Sequence, residues 1–491
     1  MDHQHDTGID WFGQFETKVI ESTIKMRIAL KDKKVLVLGL GETGGSTLRW
    51  LNMQGARLSA ADTRETPPGI DVLKTELPQV KMYTGGFTAA MFSEVDLIVV
   101  SPGVALSEPE IQAAIKRGVS VVGDVELFAQ YRPSSTKVIA ITGANGKTTV
   151  TTLVGEMCKA AGLKTIVAGN IGLAVLDTLS METPDVYVLE LSSFQLETTS
   201  TLQVDAATML NLSEDHMDRY DSFQDYAIAK ARIFYNAKLQ VLNRDDAWSM
   251  MMARPKLAQV TFGLFDGVSG SNDSNNENEI SYGLKQIDGE TWLCEDEKEL
   301  INLQDLKIVG LHNAANALAA VALCRAIGVD YAHIIQALYN FKGLPHRVEW
   351  VANIDDVDYY DDSKGTNVGA TCAAIAGLYK DGFPQKLVLI AGGEGKGQDF
   401  SPLADAVVEN TRAVVLIGRD APLIEAALLK TNVPLYLAID LPEAVNIAQK
   451  LAQTGDAILL SPACASFDMF KSYVHRAEVF VSAVSRLKET K

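Results

Sequence analysis

Cysteine is scarce in this sequence, and apolar runs long enough to cross a membrane are missing. The five cysteines are odd in number, scattered and without a CxxC spacing, which excludes a disulfide framework and fits a reducing compartment. No stretch approaches the roughly 20 apolar residues of a membrane span. The first residues, MDHQHDTGID, lack the apolar segment of a signal peptide, so we expect a cytoplasmic protein that does not insert into membranes.

Positive charge is also in short supply. The 491 residues contain 44 Lys and Arg against 62 Asp and Glu, a formal net charge of −18. Such a surface repels phosphate backbones and anionic lipids, so nucleic acids and membranes are poor candidate partners. Any phosphate that this protein handles must therefore be held at a local positive site.

Short β-rich apolar runs alternate with helical stretches in three successive blocks. This pattern predicts an α/β fold with a parallel sheet in each block. The composition at the block ends places three domains at residues 1–133, 134–343 and 344–491. The first ~30 residues are interpreted as an extension, and the polar stretch 269–279 as a surface insertion without chemistry.

A phosphate-binding loop is the strongest local signal. The sequence TGANGKTT at 142–149 follows the apolar strand VIAI and opens a helix, so its glycines and the helix N-terminus can surround a phosphate. Lys147 would reach the outer phosphates, and the Thr148 hydroxyl would bind Mg²⁺. The full motif has a glycine where Ile141 stands, so the loop must be a shortened form. An ordinary Gly-Asn turn is the alternative.

A second glycine loop lies near the start of the first block. The strand VLVLG runs into GLGETG at 39–44, and Asp62 ends the next strand, which is nearly the complete dinucleotide fingerprint. An NAD site is the obvious interpretation, and a domain whose glycines serve only packing is the alternative. Glu42 is an unusual neighbour for an anionic ligand.

Three ionisable residues follow the phosphate loop. Glu190 ends the apolar strand VYVLEL, where it can ligate Mg²⁺ or lie in solvent. His216 stands among acids with which it can simply pair. Lys230 lies in an apolar-patterned helix at 226–235 and, by itself, would be a solvated helix lysine.

The third block offers a further group of charges. Asp362 could take the ATP ribose hydroxyls, while Lys364 and Arg347 could reach the phosphates. A solvated charge cluster is the alternative. The segment GGEGKG at 392–397 is interpreted as a flexible loop that presents Lys396.

The order of these motifs resembles that of a known family. The loop TGxNGKTT is similar to the shortened loop of the Mur ligases and their folylpolyglutamate synthetase relatives. Further motifs resemble the D-glutamate-adding branch: GNIG at 169–172, LELSSFQLE at 189–197, EDHMDRY at 214–220, HNAAN at 312–316, GLPHR at 343–347, DSKGTN at 362–367 and SPACAS at 461–466. The match runs from about Lys34 to the C-terminus. It implies a Rossmann-like N-terminal domain, a P-loop ATPase-like central domain and a Rossmann-like C-terminal domain.

The resemblance implies an activity as well. It implies an ATP-dependent amide-bond ligase that joins D-glutamate to UDP-N-acetylmuramoyl-L-alanine through an acyl phosphate, in cytoplasmic peptidoglycan precursor synthesis. ATP, D-glutamate and the UDP-sugar would be its small-molecule partners. Two Mg²⁺ sites are implied, with Lys230 carrying a carbamate that supplies anionic oxygen to the second. The third domain would close over the second when ATP binds, because acyl phosphates hydrolyse.

The resemblance assigns site residues by position. ATP would be held by Gly143, Ala144, Asn145, Gly146, Lys147, Thr148, Thr149, Asn316, Arg347, Asp362 and Lys364. The UDP-sugar would be held by Glu42, Thr43, Asp62, Thr63, Arg64, Gly103, Asn170 and Ser192. D-glutamate would be held by Thr366, Lys396, Ser466, the backbone near Phe467, and Tyr473, a position that is often Phe in the family. The metal ligands would be Thr148, Glu190, His216 and Lys230, and the catalytic residues Lys147, Asn170, His216 and Lys230.

Three other functions stay open at this point. A sibling ligase could carry the same motifs, although the folate enzyme lacks such a first domain. An NAD oxidoreductase built on the first block would leave the phosphate loop unexplained. A nucleotide-gated binding protein without turnover would leave Glu190, His216 and Lys230 unexplained.

Overall fold

The computed structural model describes residues 27–264, 280–308, 310–378 and 385–489. Within them the chain forms three successive sheets flanked by helices, so the predicted α/β fold with three domains is confirmed. The domain limits given above stay predictions. Residues 1–26 and the polar insertion at 269–279 lie outside the described residues. Among the described helices, none combines the length and the apolar character needed to cross a membrane.

The first sheet has five parallel strands in the order β3-β2-β1-β4-β5. Its strands are β1 (Lys34–Leu38), β2 (Arg57–Asp62), β3 (Lys81–Thr84), β4 (Leu97–Val100) and β5 (Ser120–Val122), and its helices are α1 (Glu42–Met53), α2 (Ile70–Glu76), α3 (Pro109–Lys116) and α4 (Asp124–Tyr131). A Cβ on Gly44 would lie 1.8 Å from the carbonyl oxygen of Gly39, so only glycine permits the tight entry into α1. The strand order reverses at this loop, which makes it the ligand-binding edge of a doubly wound domain.

The second sheet has nine strands in the order β14-β13-β12-β11-β10-β9-β6-β8-β7. Its strands are β6 (Lys137–Thr142), β7 (Thr165–Gly169), β8 (Val186–Glu190), β9 (Ala206–Met209), β10 (Leu239–Asn243), β11 (Ala258–Phe262), β12 (Ser281–Ile287), β13 (Glu290–Glu295) and β14 (Lys298–Asn302). Its helices are α5 (Lys147–Ala160), α6 (Ser193–Glu197), α7 (Phe223–Ala231), α8 (Ala247–Met251), α9 (Leu311–Ala326) and α10 (Tyr331–Asn340). The phosphate loop leaves β6, between β8 and β9, so polar residues that follow these strands meet at one edge.

The third sheet has six strands in the order β15-β16-β20-β17-β18-β19. Its strands are β15 (Glu349–Ile354), β16 (Val357–Asp361), β17 (Leu387–Gly392), β18 (Thr411–Ile417), β19 (Leu435–Leu437) and β20 (Ala457–Leu460). Its helices are α11 (Val368–Leu378), α12 (Pro402–Asn410), α13 (Ala421–Leu428), α14 (Leu441–Leu451) and α15 (Tyr473–Glu489).

The expectation of parallel sheets is wrong at two edges. Strands β13 and β14 extend the second sheet antiparallel, and β15 pairs antiparallel with β16 in the third. Each of these pairs is joined by a turn of two residues, which suits a hairpin and leaves no room for a crossover helix.

The first two domains pack as one body. A single hydrophobic cluster contains Val37 of β1 together with Val138 of β6 and Tyr187 of β8. The fully buried carboxylate of Glu126 also crosses this boundary, accepting hydrogen bonds from the backbone N–H groups of Ser200 (2.7 Å) and Thr201 (2.9 Å). Shared apolar burial and a satisfied buried charge both resist separation of these domains.

The third domain is attached differently. Among the described residues, its hydrophobic clusters contain none before Val348. Contacts with the central domain include hydrogen bonds from Asn367 Nδ2 to Asn145 Oδ1 (3.1 Å) and from the backbone N–H of Asp399 to Glu214 Oε2 (3.1 Å). Such polar contacts can be exchanged for water at small cost, so this boundary is the one suited to opening.

Candidate active site

The main cleft lies between the second and third domains, at the carboxyl edge of β6, β8 and β9. It has a volume of about 690 Å³. Predicted site residues that line it are Ala144, Asn145, Gly146, Lys147, Thr148, Asn170, Glu190, Ser192, His216, Lys230, Arg347, Lys364, Thr366, Lys396 and Tyr473. The fold therefore brings candidate residues for phosphate, metal and substrate binding into one cleft, although they are spread over 330 positions of the sequence.

The phosphate loop is shaped for an anion. Gly146 precedes α5 with φ +83°, and a Cβ there would lie 2.4 Å from Asn316 Oδ1, so glycine is required. Lys147 begins the helix, and its ammonium donates to the carbonyl oxygens of Gly143 (2.8 Å) and Ala144 (2.7 Å). Burial lowers the pKa of Lys147, although the negative charges of nearby carboxylates act to raise it. The ammonium is thus held at the helix N-terminus by weak acceptors that a phosphate would replace.

Glu190 has the geometry of a metal ligand. The residue is 1% exposed, which contradicts the solvent-exposed alternative. Its Oε1 accepts a hydrogen bond from Asn170 Nδ2 (2.8 Å), while its Oε2 is buried and has no hydrogen-bond partner among the described residues. A buried carboxylate oxygen without a partner is costly unless a cation or a donor is supplied. The residues present therefore fit a divalent cation beside the phosphate loop, with the Thr148 hydroxyl lining the same cleft.

Lys230 is buried, and the alternative of a solvated lysine is wrong. The residue is 1% exposed, and its ammonium donates to the carbonyl oxygen of Gly143 (2.8 Å) and lies 4.8 Å from the ring centroid of Tyr226. Burial, and then the charge of Lys147, lower the pKa of Lys230 well below the usual lysine value. Among the described residues, no carboxylate oxygen lies within 4.0 Å of this ammonium. The helix that carries it, α7, ends at Ala231, earlier than predicted.

His216 faces the same cleft from a strained turn. Its φ is +59°, and its Nε2 lies 3.6 Å from Asp215 Oδ2. Burial lowers the pKa of His216 to about 4. The negative charge of Asp215 acts to raise this pKa, and the positive charges of Lys396 and other lysines act to lower it further. The imidazole is consequently neutral at pH 7, the form in which a ring nitrogen can ligate a cation.

A second cavity of about 340 Å³ adjoins the phosphate loop on the side of α9. Predicted ATP-binding residues that line it are Asn145, Gly146, Thr149, Asn316, Arg347, Asp362 and Lys364. Leu210 and Phe262 give it an apolar wall, as a purine requires. Asp362 accepts a hydrogen bond from Ser461 Oγ (2.7 Å), and burial raises its pKa to about 7. Arg347 and Lys364 line both cavities, so a nucleotide in the smaller one would direct its phosphates past them into the cleft.

The first-domain candidates lie apart from the cleft, at the carboxyl edge of the first sheet. Glu42 and Thr43 open α1, and Asp62 ends β2. Asp62 accepts from the backbone N–H of Leu40 (2.6 Å) and from the Arg64 guanidinium (2.7 Å). Burial acts to raise the pKa of Asp62, but these hydrogen bonds outweigh it and lower the pKa. This engaged carboxylate is poorly placed to accept the ribose hydroxyls of NAD.

The D-glutamate candidates divide into two groups. Thr366, Lys396 and Tyr473 line the cleft, and Lys364 Nζ lies 4.2 Å from the ring centroid of Tyr473. Ser466 is 3% exposed and Phe467 is 70% exposed, and neither lines the cleft. The roles of all five stay predictions.

Sequence reasoning missed two residues of this region. Asp215 lines the cleft, and its Oδ1 lies 3.9 Å from Lys396 Nζ, an ion pair across the domain boundary. Arg476 is fully buried and donates to the carbonyl oxygens of Ser363 (2.8 Å) and Cys464 (3.1 Å). It thereby ties the loop that carries Lys364 to the loop before Ser466. The only available signal was a lone arginine near the start of α15.

Three family models match successive parts of the chain. They are Mur ligase MurD-like, N-terminal domain, over residues 33–123, Mur ligase middle domain over residues 141–324, and Mur ligase, glutamate ligase domain, over residues 346–464. Each matched segment covers most of one of the three sheets.

Curated relatives match over nearly their whole length. A UDP-N-acetylmuramoylalanine--D-glutamate ligase from Methylobacillus flagellatus is 62% identical, over 94% of this chain and 99% of the relative. Another of the same name from Thiobacillus denitrificans is 53% identical, over 94% of this chain and 98% of the relative.

Solved structures agree in fold. A MurF ligase from Thermotoga maritima in complex with ADP superposes with a TM-score of 0.57 at 16% identity, over 93% of this chain and 96% of that chain. A UDP-N-acetylmuramate-alanine ligase from the same organism superposes with a TM-score of 0.55 at 20% identity, over 94% and 100%. At these identities the likeness shows the fold alone.

Proposed function

This chain belongs to the Mur ligase family, and we propose that it is the ligase that joins D-glutamate to UDP-N-acetylmuramoyl-L-alanine at the expense of ATP. The observation that carries the proposal is the identity of 62% to a ligase of this name over 99% of its length. The cleft supports it, because Lys147, Glu190 and His216 face Lys396 across one space. The reaction belongs to cytoplasmic peptidoglycan precursor synthesis, where ATP and both other substrates are small molecules.

The reaction proceeds in two steps. The carboxylate of UDP-N-acetylmuramoyl-L-alanine attacks the γ-phosphorus of ATP, forming an acyl phosphate and releasing ADP. The amine of D-glutamate then attacks the acyl carbon, and inorganic phosphate leaves as the amide bond forms. Lys147, Arg347 and Lys364 surround the space where charge develops on the transferring phosphoryl group, so preorganised positive charge supplies much of the catalysis.

Residues of the cleft also suit two Mg²⁺ ions. Thr148 and Glu190 would hold the first, and His216 and Lys230 the second, the lysine after reaction of its amine with CO₂ to a carbamate. Mg²⁺ neutralises phosphate charge and orients the phosphoryl group when bound. The carbamate is supported by the burial of Lys230 and by the lack of an acidic partner within 4.0 Å in the described part of the chain. An uncharged amine is the form that reacts with CO₂, and burial favours that form.

Domain closure protects the intermediate from water. The third domain contributes Lys396 and Tyr473 to the cleft but has its own hydrophobic clusters. We propose that it closes over the central domain when ATP binds and reopens for product release. The exchangeable contacts Asn367–Asn145 and Lys396–Asp215 would hold the closed form.

Phosphate release from ATP tests the proposed reaction. We expect rapid release only when UDP-N-acetylmuramoyl-L-alanine and D-glutamate are both present. L-glutamate and L-alanine serve as matched amino-acid controls, and UDP-N-acetylmuramate tests the sibling reaction. Faster release with UDP-N-acetylmuramate and L-alanine would assign the chain to a different step of the same series.

Ligand-induced stabilisation tests the first domain. We expect UDP-N-acetylmuramoyl-L-alanine to raise the unfolding temperature, because a ligand at about 100 times its dissociation constant adds about 2.7 kcal/mol to the stability of the folded state. NAD should cause no shift, since Asp62 is already engaged by Arg64 and Leu40. Differential scanning fluorimetry measures both. A shift with NAD and none with the UDP-sugar contradicts the assignment.

A further inference from the structure

One short turn connects the main cleft to the first domain. It comprises residues 216–219 and is closed by a hydrogen bond from the backbone N–H of Arg219 to the carbonyl oxygen of His216 (2.9 Å). His216, at one end, lines the cleft. Arg219, at the other end, donates from Nη1 to the carbonyl oxygen of Gly103 in the first domain (3.3 Å). The turn therefore connects the cleft to the first domain.

Gly103 belongs to the ligand-binding edge of the first sheet. It follows β4 in the turn Ser101-Pro102-Gly103. Ser101 Oγ donates to the carbonyl oxygen of Gly39 (3.0 Å), which binds this turn to the glycine loop before α1. The Arg219 guanidinium thus contacts a turn that is itself hydrogen-bonded to the glycine loop.

The Arg219 guanidinium is held in place but has N–H groups that donate to no other described residue. Its central carbon lies 4.4 Å from the ring centroid of Phe194, and the same ring lies 4.9 Å from the His216 ring centroid. In the described part of the chain, no carboxylate oxygen comes within 4.0 Å of this guanidinium. Glu197 is a nearby acid: burial raises its pKa, while Tyr220 and Arg219 act to lower it. A half-buried arginine that forms no ion pair with the described residues, in a chain of net charge −18, is suited to bind an external anion.

We propose that Arg219 binds the diphosphate of the nucleotide sugar and that this contact also positions His216. The inference rests on the proposed function. If the uridine end binds the glycine loop of the first domain and the reacting carboxylate lies in the cleft, as the proposed function requires, the diphosphate between them passes the turn at 216–219. The stacked guanidinium presents several N–H groups in a plane, which matches phosphate oxygens. Arg219 is then a binding and positioning residue, and substrate binding is linked to the placement of His216.

Two variants separate anion binding from a purely structural clamp. Arg219→Ala removes the charge and the ring contact, and Arg219→Lys retains the charge. Arg117→Ala is the matched control, because Arg117 also donates to a carbonyl oxygen in the first domain, that of Phe92 (2.9 Å), away from the glycine loop. Calorimetry with UDP and with UDP-N-acetylmuramoyl-L-alanine gives affinities, and ligand-observed NMR gives that of uridine.

We expect Arg219→Ala to weaken UDP and UDP-sugar binding by about 10- to 100-fold, the range for losing a hydrogen bond to a charged group. Uridine binding should be unchanged, Arg219→Lys should retain part of the UDP affinity, and Arg117→Ala should resemble the wild type. In steady-state assays the KM for the UDP-sugar should rise while that for ATP stays constant.

If Arg219→Ala weakens the binding of uridine and of UDP equally, the proposal is overturned, and Arg219 serves only to hold the Ser101–Gly103 turn in place. Unchanged UDP affinity in Arg219→Ala overturns it as well. A wild-type protein that binds no UDP-sugar would contradict the proposed function itself, whereas an unaffected variant of an active ligase contradicts only the role of Arg219.

Discussion

Replacing Lys147 with alanine is expected to lower turnover by roughly 10²-fold or more, the scale for losing one preorganised electrostatic donor. The ammonium stands at the N-terminus of α5, where it donates to the carbonyl oxygens of Gly143 and Ala144. In the reaction the transferring phosphoryl group would accept hydrogen bonds from this ammonium in place of the two carbonyl oxygens. The substitution should therefore lower the rate of the chemical step. Initial rates of ADP formation at saturating substrates measure it.

Lys159→Ala is the control for this variant. Lys159 lies near the other end of α5, is half exposed and pairs with Glu156 at 3.0 Å, so its removal should leave turnover unchanged. The unfolding temperature of Lys147→Ala should also stay close to that of the wild type, because the side chain donates to carbonyl oxygens of its own loop and belongs to none of the hydrophobic clusters of the described residues. Near-normal turnover of Lys147→Ala would remove the loop lysine from the mechanism.

Lys230→Ala should abolish turnover without unfolding the protein. The proposed carbamate supplies two anionic oxygens to a hard cation, which an alanine cannot do. The variant also vacates space beside the carbonyl oxygen of Gly143, where the ammonium now donates. Added formate or acetate should therefore restore part of the activity, because a small carboxylate can place an oxygen ligand in that space. Activity over a range of added carboxylate is the measurement.

Lys230→Arg separates the carbamate from an ordinary buried lysine. Arginine keeps the charge, cannot be carbamylated and fills the space, so it should be inactive and resist rescue. Removing CO₂ should slow the wild type, and Lys238→Ala, an exposed lysine that pairs with Asp205 at 2.7 Å, should behave like the wild type. Wild-type turnover in Lys230→Arg would make the residue a structural lysine.

Much of the fold follows from local pattern. Continuous apolar runs such as Val35–Leu38 become buried strands of parallel sheets because both faces are covered by helices. The strand, glycine loop and helix of residues 137–160 form as the sequence indicates, with the helix beginning at Lys147. The antiparallel edges were missed because the residues of a strand such as β13 resemble those of a parallel strand. What distinguishes the two is the direction of the neighbouring strand with which each pairs.

Local sequence by itself determined buried parallel strands such as β1, the helix that follows the phosphate loop and the glycine turns, and the order of motifs determined the family, because these depend on residues that are neighbours in the chain. Tertiary structure alone decided that a buried oxygen of Glu190 has no hydrogen-bond partner in the described part of the chain and that Lys230 is buried. It also brought Arg219 to Gly103, 116 positions away in the chain. Burial, pKa and unused donors depend on which distant segments pack around a side chain, and that information is not present in the side chain's own neighbours in sequence.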